Sequence, residues 1–567
     1  MNRSIRSSVK GLLLLTYCVS ATGQTNHATN SRGMVATVNP TATRAAVSTL
    51  EGGGNAVDAA VTAALTLAVV DGYNSGIGGG CFILIRTPAG AVYAIDGREV
   101  APKSATQDMF LADGKPIPEA SRIGPLASGV PGALAAYEKA WRLAGRADWS
   151  LLFERPIQVA EEGFVIPGNF AQRIRAKAKW LARYEGSRDV LFDDAGLPRG
   201  EGTTLIQSDL ANTLKGIRDH GIKYFYRGPT AMRVSDWMTK NGGLLTARDF
   251  RNYRVRMREP VKSSYRGYSI VGFPPPSSGG VHVAQMLNIL EHYDLSHLYS
   301  NNRAQYIHII TESMKLAFAD RAYWLGDPGF TRVPRGLISA DYAEQLSNRI
   351  DVTRASEVRS HGRPPDPNAK VFNRHTTHIA VADAEGYWVA ITATVNTSFG
   401  STVIVPGTGV ILNNEMDDFA IAPGIPNAFG LVGSDANAVA SLKRPLSSMS
   451  PTIILKDGNP VMTVGAAGGP RIITNALLGT IRVLDLEMTP VEALAAKRFH
   501  HQWSPDRLYM EQGTDPELVQ SLRAMGHRVT VGGSAGTTQL IHRDPATGLF
   551  TGVHDPRVPG KAAGPDR

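Results

Sequence analysis

The stretch from 376 to 396, TTHIAVADAEGYWVAITATVN, predicts a β-hairpin. Its first arm, 378–383, alternates large apolar residues with small or polar ones, and its second arm, 388–396, follows the same rule. Alternation of this kind is typical of strands, and Ala384-Glu385-Gly386 between the arms suits a tight turn. We therefore expect two antiparallel strands here, each with two different faces.

The polar residues of this hairpin fall on one face of each strand. Successive side chains point to opposite sides, so Thr376 and His378 lie on the face opposite Ile379. Thr394 and Asn396 share the polar face of the second strand. A threonine at the entrance of the hairpin is thereby placed opposite a hydroxyl and an amide at its exit. A half-solvated hairpin with threonines chosen for β-propensity is the alternative interpretation.

Upstream, the sequence predicts strands and a buried helix. Residues 34–50 suggest a strand, a turn at Asn39-Pro40 and a helix. The segment NAVDAAVTAALTLAVV, which starts at Asn55, is apolar on all sides and predicts a helix buried between layers. The glycine turn SGIGGG at 75–80 then leads into two strands.

Three further segments carry local signals. Residues 314–325, MKLAFADRAYWL, predict a helix. Residues 352–375 are polar and contain prolines, which indicates an exposed linker. We expect the tail, 558–567, to be disordered.

Composition excludes several classes of protein. The chain has 567 residues, of which 43% are hydrophobic and 19% are charged, so a large folded core is expected. The net charge of +9 contains no Lys/Arg block of five or more, which argues against a nucleic-acid binder. Two cysteines exclude a disulfide scaffold and a cysteine-based metal cluster. No phosphate-binding, dinucleotide or zinc-protease motif is present, so no cofactor and no metal are expected.

The first 21 residues resemble a secretory signal peptide. A positively charged start is followed by a short apolar run, Gly11–Val19, and by the small-residue site Val19-Ser20-Ala21. The run is far shorter than the roughly 20 residues of a membrane-spanning helix, so no stable membrane span is expected. Cleavage would remove Cys18 and leave Cys81, on a buried strand, as the only cysteine. We expect a secreted protein, located in the bacterial periplasm.

A glycine-rich turn, GAAGGPR at 465–471, lies between a strand-like stretch and a predicted helix, IITNALLGTI. Successive amides at a helix start are suited to binding an anion. A tight strand-to-helix turn with no ligand explains the pattern equally well.

Taken together, these segments resemble the gamma-glutamyltransferase (glutathione hydrolase) family, over about residues 33–557. The motifs that carry the resemblance occur in family order: GMVAT (33–37), GGGNAVDAAVTAALTL (52–67), SGIGGGCFILI (75–85), AIDGREVAP (94–102), ASGVPGALAAYE (127–138), PPPSSGG (274–280), LAFADRAYWLGDP (316–328), the hairpin, GVILNNEMDDFAIAPG (409–424), KRPLSSMSPTIILKDG (443–458), GAAGGPRIITNALL (465–478), RFHHQWSPD (498–506) and VHDPR (553–557).

The resemblance implies an N-terminal-nucleophile hydrolase with an αββα sandwich fold. The precursor would cut itself between His375 and Thr376, giving a large subunit, 22–375, and a small catalytic subunit, 376–567. Cleavage frees an α-amino group with a pKa near 7.7–8.0 beside the Thr376 hydroxyl, which supplies both base and nucleophile. Spacing alone does not exclude Thr377, and the family motif selects Thr376. Thr394 would hold Thr376 by a hydrogen bond.

The resemblance also implies the substrate site. Arg98 would bind the α-carboxylate of a γ-glutamyl group, with Ser447 and Ser448 as further donors. Asn396, Glu415 and Asp418 would bind its α-ammonium. The amides of Gly468 and Gly469 would stabilise the oxyanion.

The loop 423–435 resembles the family's lid, and it carries a departure. Phe429 stands where many bacterial members have tyrosine, so a lid-closing hydrogen bond from that position to Asn396 cannot form. We expect a looser lid.

The implied activity is cleavage of glutathione and related γ-glutamyl amides, with transfer of the acyl group to water or to amino acids and peptides. Two alternatives remain open. One is a glutaryl or cephalosporin acylase, against which a retained Asp418 counts, since that substrate has no ammonium. The other is a non-catalytic secreted binding protein, against which the intact Thr376, Thr394 and Gly468-Gly469 count.

Overall fold

The predicted hairpin forms the centre of a seven-stranded antiparallel sheet, the first sheet. The structure, a computed structural model, describes residues 25–365, 378–422, 424–533 and 535–566. Strands His378–Asp383 and Trp388–Thr394 pair antiparallel, with Ala380 opposite Ala390. Across the sheet the strands are Lys561–Ala563, Gly33–Thr37, His378–Asp383, Trp388–Thr394, Gly80–Arg86, Val92–Gly97 and Arg256–Arg258. The hairpin prediction is confirmed.

A second seven-stranded antiparallel sheet lies against the first. Across it the strands are His27–Asn30, Phe550–His554, Thr537–Arg543, Asn459–Ala467, Thr452–Lys456, Tyr268–Gly272 and Val261–Tyr265. Three smaller sheets complete the strands: Phe499–His500 with Leu508–Met510 and Val529–Val531, Leu111–Ala112 with Lys115–Pro116, and Phe164–Val165 with Thr204–Leu205.

Helices cover the outer faces of both sheets. The α-helices are Pro40–Glu51, Ala56–Val70, Pro118–Arg122, Ala133–Ala144, Leu151–Glu162, Gly168–Leu181, Glu185–Leu191, Ser208–His220, Lys223–Tyr226, Pro229–Asn241, Ala247–Asn252, Gly279–Leu290, Leu295–Asn301, Arg303–Trp324, Ala340–Ser347, Arg471–Leu484, Pro490–Ala495 and Pro516–Ala524. Short 3₁₀ turns are Pro125–Ala127, Arg335–Ile338, Glu415–Asp418 and Asp435–Asn437. Among the described residues, no helix has the length and apolarity needed to cross a bilayer.

The hydrophobic core divides into three layers, and this division is the αββα sandwich. Ile379 and Val381 of the hairpin pack against the helices around Ala56–Val70. Ala380 and Ala382, on the opposite face, pack against residues of the second sheet. Helices such as Arg303–Trp324 and Arg471–Leu484 cover the far side of that sheet. The expected fold class is confirmed.

The helix Ala56–Val70 is buried along its whole length, as its all-round apolarity predicts. Asn55 caps its start, because its side chain accepts from the amides of Val57 and Asp58 while Asp58 accepts from the amide of Asn55. Asp383, at the end of the first hairpin strand, accepts from the amide of Ala56 at 2.8 Å. The hairpin and the buried helix are thus joined by one carboxylate.

The structure corrects three local predictions. The hairpin is buried on both faces, so the half-solvated alternative is wrong: the second sheet covers the polar face. The helix predicted from 314 begins earlier, at Arg303, since Asn302 caps its start and the residues from Tyr306 onward are buried. The tail is not disordered in its described part, because Lys561–Ala563 pairs with Val35–Thr37. The family motif ends before this strand, so the resemblance gave no signal for it.

The described part of the predicted linker, 352–365, has no regular secondary structure, yet it is held in place. The amide of Ala355 donates to the carbonyl of Met525 at 2.7 Å, and the indole of Trp503 donates to the carbonyl of Val358 at 2.7 Å. Glu357 and Arg359 remain exposed. Residues 366–375 lie outside the described residues.

Replacing Asp383 with alanine is expected to lower the free energy of unfolding by about 2 kcal/mol, because two of the three backbone amides that donate to its carboxylate lose their acceptor at roughly 1 kcal/mol each, while that of Gly386 keeps the carbonyl of residue 383 at 3.2 Å. The three amides belong to Ala56, Gly386 and Tyr387. Chemical denaturation would measure the change. Glu385→Ala, in the same turn, is the control, since its carboxylate is exposed and is paired only with Arg146. Equal losses in the two variants would contradict the assignment.

Candidate active site

A cavity of about 550 Å³ lies beside the end of the second hairpin strand. Most of the predicted site residues line it, although they come from segments far apart in sequence. These residues are Thr394, Asn396, Glu415, Asp418, Phe429, Ser448, Gly468 and Gly469. Arg98 and Ser447 are fully buried and are not among the lining residues.

Thr394 ends its strand at the cavity wall, and Asn396 follows in a left-handed conformation with φ of 78°. Asparagine tolerates this region better than most residues. The turn lets the amide of Asn396 donate to Oγ1 of Thr394 at 2.7 Å, while the Asn396 side chain donates to the carbonyl of Asn414 at 2.9 Å. The strand therefore ends before Asn396, and the contact with Thr394 is made by the backbone of Asn396 and not by side chains on one strand face, although both residues line the cavity.

The backbone of Gly79 packs directly against the backbone of Thr394. A Cβ atom at this position would lie 1.8 Å from the carbonyl oxygen of Thr394, so a larger residue cannot occupy it without displacing the strand end. The neighbouring Gly80 meets the carboxylate of Glu99 in the same way, at 2.2 Å. The glycine turn at 75–80 therefore brings the backbone close to the site, where no side chain would fit.

Arg98 is surrounded by three carboxylates. Its guanidinium lies 2.5 Å from Glu415, 2.7 Å from Asp418 and 3.2 Å from Glu99, and the arginine is fully buried. Burial works against the charge of the guanidinium, but the three carboxylates raise its pKa. Strand Val92–Gly97 positions Arg98, and the turn Glu415–Asp418 positions two of its partners.

Ser447 and Ser448 lie beside a second buried arginine, Arg321, which the sequence analysis missed. Arg321 donates to Oγ of Ser448 at 3.3 Å and to Oγ of Ser278 at 3.0 Å. Burial lowers its pKa to about 10. No carboxylate of the described residues forms an ion pair with Arg321. The motif LAFADRAYWLGDP contained this arginine, but nothing in its helical pattern distinguished it from a surface charge.

The predicted glycine turn joins strand Asn459–Ala467 to helix Arg471–Leu484 at the cavity wall. Gly468 and Gly469 have φ values of 129° and 60°, which L-residues rarely adopt. The ring of Phe429 covers Gly469, since a Cβ atom there would lie 2.5 Å from the ring. The side-chain amide of Gln502 donates to the carbonyl of Phe429 at 3.2 Å.

The predicted cleavage site and nucleophile, His375 and Thr376, lie outside the described residues. The chain is described again from His378, which pairs with Thr392 across the hairpin. Burial lowers the pKa of His378 to about 3, so this histidine is neutral near pH 7. His378 packs against the backbone of Gly465 in the second sheet.

A further group of cavity residues was absent from the sequence predictions. Asp71, which ends the buried helix, and Tyr73 line the cavity. The turn containing them is bonded to the hairpin exit, since the amide of Val395 donates to the carbonyl of Asn74 and that of Phe399 to the carbonyl of Tyr73. Burial raises the pKa of Asp71 to about 7, although hydrogen bonds with Tyr73 and Asn74 act in the other direction.

One group of described side chains has the composition of a metal site, but its atoms are already hydrogen-bonded. The ligand atoms of His308, Glu312 and His527 lie within 4.8 Å of one another. The two histidines are 2.7 Å apart, ring nitrogen to ring nitrogen, and Glu312 binds Lys315 at 2.8 Å. Glu312 also accepts from the amide of Ser356 at 3.1 Å, so the group fastens the segment after Asp351 to helix Arg303–Trp324.

Comparison with known proteins gives one consistent family. The family described as Gamma-glutamyltranspeptidase matches residues 42–565. A glutathione hydrolase proenzyme of Escherichia coli (strain K12) is 42% identical over 532 residues, which cover 93% of this chain and 90% of that protein.

Solved structures agree with this result. The crystal structure of a cephalosporin acylase from Bacillus halodurans has a TM-score of 0.85 at 27% identity, covering 98% of this chain and all of that chain. The crystal structure of the Helicobacter pylori gamma-glutamyltranspeptidase has a TM-score of 0.55 at 38% identity, covering 59% of this chain and 93% of that chain.

Asp71→Asn is expected to stabilise the protein increasingly as the pH rises. Between pH 4 and 7 the folded state retains a proton on Asp71 that the unfolded chain has lost, so this group makes the protein less stable as the pH rises. Asparagine removes that penalty, and the gain in free energy of unfolding should grow by on the order of 2–3 kcal/mol between pH 5 and 8. Thermal unfolding at both values measures it, with the exposed Asp113→Asn as control. A gain that does not change with pH would contradict the prediction.

Proposed function

Because the chain belongs to the gamma-glutamyltranspeptidase family, we propose that it is a self-processing enzyme that cleaves γ-glutamyl amide bonds, with glutathione as a substrate. The acyl group passes to water or to the amine of an amino acid or peptide. The observation that carries this proposal is the buried cluster of Arg98, Glu415 and Asp418 at a cavity that also contains Thr394.

The head group of the substrate explains the charges of the site. A γ-glutamyl group carries an α-ammonium and an α-carboxylate. Three carboxylates around the single guanidinium of Arg98 favour an ammonium, which Glu415, Asp418 and Asn396 are proposed to bind. The carboxylate is proposed to reach Arg98, Ser447 and Ser448. Arg321 supports this assignment. Its buried guanidinium donates to Ser448 and forms no ion pair with a carboxylate of the described residues.

Thr376 is the proposed nucleophile. Cleavage of the His375–Thr376 bond frees an α-amino group, which accepts the proton of the Thr376 hydroxyl as its oxygen attacks the γ-carbonyl carbon. Amides of Gly468 and Gly469 stabilise the oxyanion, a contribution on the order of 3 kcal/mol in comparable sites. The C–N bond then breaks, the leaving amine takes the proton, and water or a new amine releases the acyl group. Thr394 positions Thr376.

The proposed products of processing are a large subunit, 22–375, and a small subunit, 376–567. The match to the Helicobacter pylori chain supports this division, since nearly all of that chain corresponds to 59% of this one. We further propose that residues 1–21 are a signal peptide and that the enzyme works in the periplasm. The charged start and short apolar run of the sequence support secretion.

The second candidate function is acylase activity on glutaryl or cephalosporin side chains. The similarity to the cephalosporin acylase structure favours it. A glutaryl group lacks the ammonium, so it would leave Asp418 and Glu415 without a cationic substrate group in a buried site. The carboxylate cluster therefore favours the γ-glutamyl substrate. A non-catalytic binding protein has no specific observation in its favour.

N-terminal sequencing of the products tests self-processing. The expressed protein should give two bands on a denaturing gel, and the smaller should begin with Thr376. Thr376→Ala should give a single uncut band, because it removes the attacking oxygen. Thr377→Ala is the matched control and should still be cut. A wild-type protein that stays uncut would overturn the proposal.

A pair of anilides separates the two candidate substrates. The wild-type enzyme is expected to cleave a γ-glutamyl anilide at least about 100-fold faster than a glutaryl anilide, since the buried carboxylates select for the ammonium. The release of the aniline measures both rates. Faster cleavage of the glutaryl compound would make the protein an acylase.

Phe429→Tyr tests the lid. The phenylalanine ring covers Gly469, and the loop is already held through Asn427, whose side chain donates to Asp418 at 3.0 Å. A tyrosine hydroxyl is expected to add a bond to Asn396 and to tighten the lid further. Steady-state kinetics should then show slower product release or a changed preference among acceptors. Unchanged rates of hydrolysis and transfer would rule out a looser lid in the wild type.

A further inference from the structure

One face of the helix Gly168–Leu181 forms part of the cavity wall. Asn169, Gln172, Arg173 and Lys177 line the cavity. Their spacing places them on the same side of the helix. Two other basic residues of this helix, Arg175 and Lys179, are not among the lining residues. The helix therefore presents two of its cations to the cavity and directs others away from it.

Neither cation forms an ion pair with a described carboxylate, although Asp71 interacts electrostatically with Arg173 and Asp417 does so with Lys177. No carboxylate of the described residues lies within 4.0 Å of Arg173 or Lys177, the distance that defines an ion pair. Arg173 donates to Oγ of Ser398 at 2.8 Å and stacks over the ring of Tyr73 at 5.6 Å. Burial lowers the pKa of Lys177, and the charge of Arg122 adds to this effect. Cations at a cavity wall that form no ion pair gain from binding an anion.

Of the five other charged residues that line the cavity, Asp71 has its pKa raised to about 7 by burial, Arg471 forms no ion pair with a described carboxylate, and the remaining three are paired. Glu415 and Asp418 contact Arg98, and Arg557 is bonded to Glu511 at 2.6 Å. Arg471 stacks on Tyr509, at 5.2 Å from its ring. The positive charge that helix Gly168–Leu181 presents to the cavity is thus separate from the cluster proposed to bind the γ-glutamyl head group.

We infer that Arg173 and Lys177 form a carboxylate subsite for the leaving group and for the acceptor. The inference rests on the proposed function and extends it. With the γ-glutamyl end held by the Arg98 cluster, the amine side of the scissile bond extends into the rest of the cavity. In glutathione that side is a dipeptide with a free carboxylate. The incoming acceptor amine takes the place of the departing one, so a peptide or amino acid with a free carboxylate uses the same subsite.

The two residues have different roles in this subsite. The bond to Ser398 and the stacking on Tyr73 fix the guanidinium of Arg173, which pre-organises it to bind a carboxylate through two nitrogens. Lys177 lies one helical turn further and supplies a movable point charge. Ser398 follows Asn396 by two residues, so the subsite is attached to the same hairpin exit as the γ-glutamyl site.

The test compares two substrates in one enzyme. Glutathione has a carboxylate on its leaving group, whereas a γ-glutamyl anilide without an acidic substituent has none. In Arg173→Met/Lys177→Met the ratio of kcat/KM for glutathione to kcat/KM for the anilide is expected to fall about tenfold, mainly through KM for glutathione. Lys177→Met alone, which keeps the Arg173–Ser398 contact, should lower the ratio about threefold.

Arg175→Met/Lys179→Met is the matched control, because it removes the same charge from the same helix outside the cavity. Its ratio should equal that of the wild type. A wild-type preference for glycylglycine over its C-terminal amide as acceptor should also disappear in the Arg173/Lys177 variant alone. Equal ratios in the two double variants would overturn the subsite. A wild-type enzyme that cleaves neither substrate would instead overturn the proposed function.

Discussion

Burial of both faces of the hairpin is the constraint on which the site depends. A strand has two faces, and in His378–Asp383 and Trp388–Thr394 one packs on helices while the other packs on the second sheet. A slip of one residue would exchange these faces, so the register is fixed. Thr394 and the entrance to the strand are thereby held at one edge of the sandwich, next to the cavity.

Buried charge follows from that placement. The ionised groups of Arg98, Glu99, Glu415 and Asp418 have lost most of their contact with water, which is costly for each of them alone. Their mutual contacts offset part of that cost and hold the segments at 98 and 415–418 together. A substrate with one ammonium and one carboxylate can pair with both the carboxylates and the guanidinium of this cluster, whereas a neutral molecule or a simple acid cannot. The electrostatics of the fold and the proposed specificity therefore have a common origin.

Much of this architecture was predictable, because the signals are local or lie within single motifs. Alternation predicted the hairpin, and all-round apolarity predicted the buried helix Ala56–Val70. The family resemblance supplied the residues that meet at the cavity, and their meeting could not have been derived from spacing. Arg321 and Arg173 were missed because a charged residue on a helix usually faces solvent, and Asp71 because a charged residue that ends a helix usually does so too. Only the packing of distant segments shows that these side chains face the cavity or lie beside it.

The strand at Lys561–Ala563 illustrates the same limit. Its sequence has no strand pattern, and it pairs because the edge of Val35–Thr37 is open to it. When tertiary contacts decide which strands pair, the sequence of a three-residue strand does not indicate its partner.

Mass spectrometry of the acyl-enzyme tests the central claim most directly. The enzyme is mixed with glutathione, quenched in acid within one turnover and digested with a glutamate-specific protease, which cuts after Glu385 and so separates Thr376 from Thr394. If Thr376 is the nucleophile, the peptide that begins with Thr376 gains the mass of one γ-glutamyl group. The same mass on a peptide containing Thr394, or turnover without any adduct, would contradict this assignment.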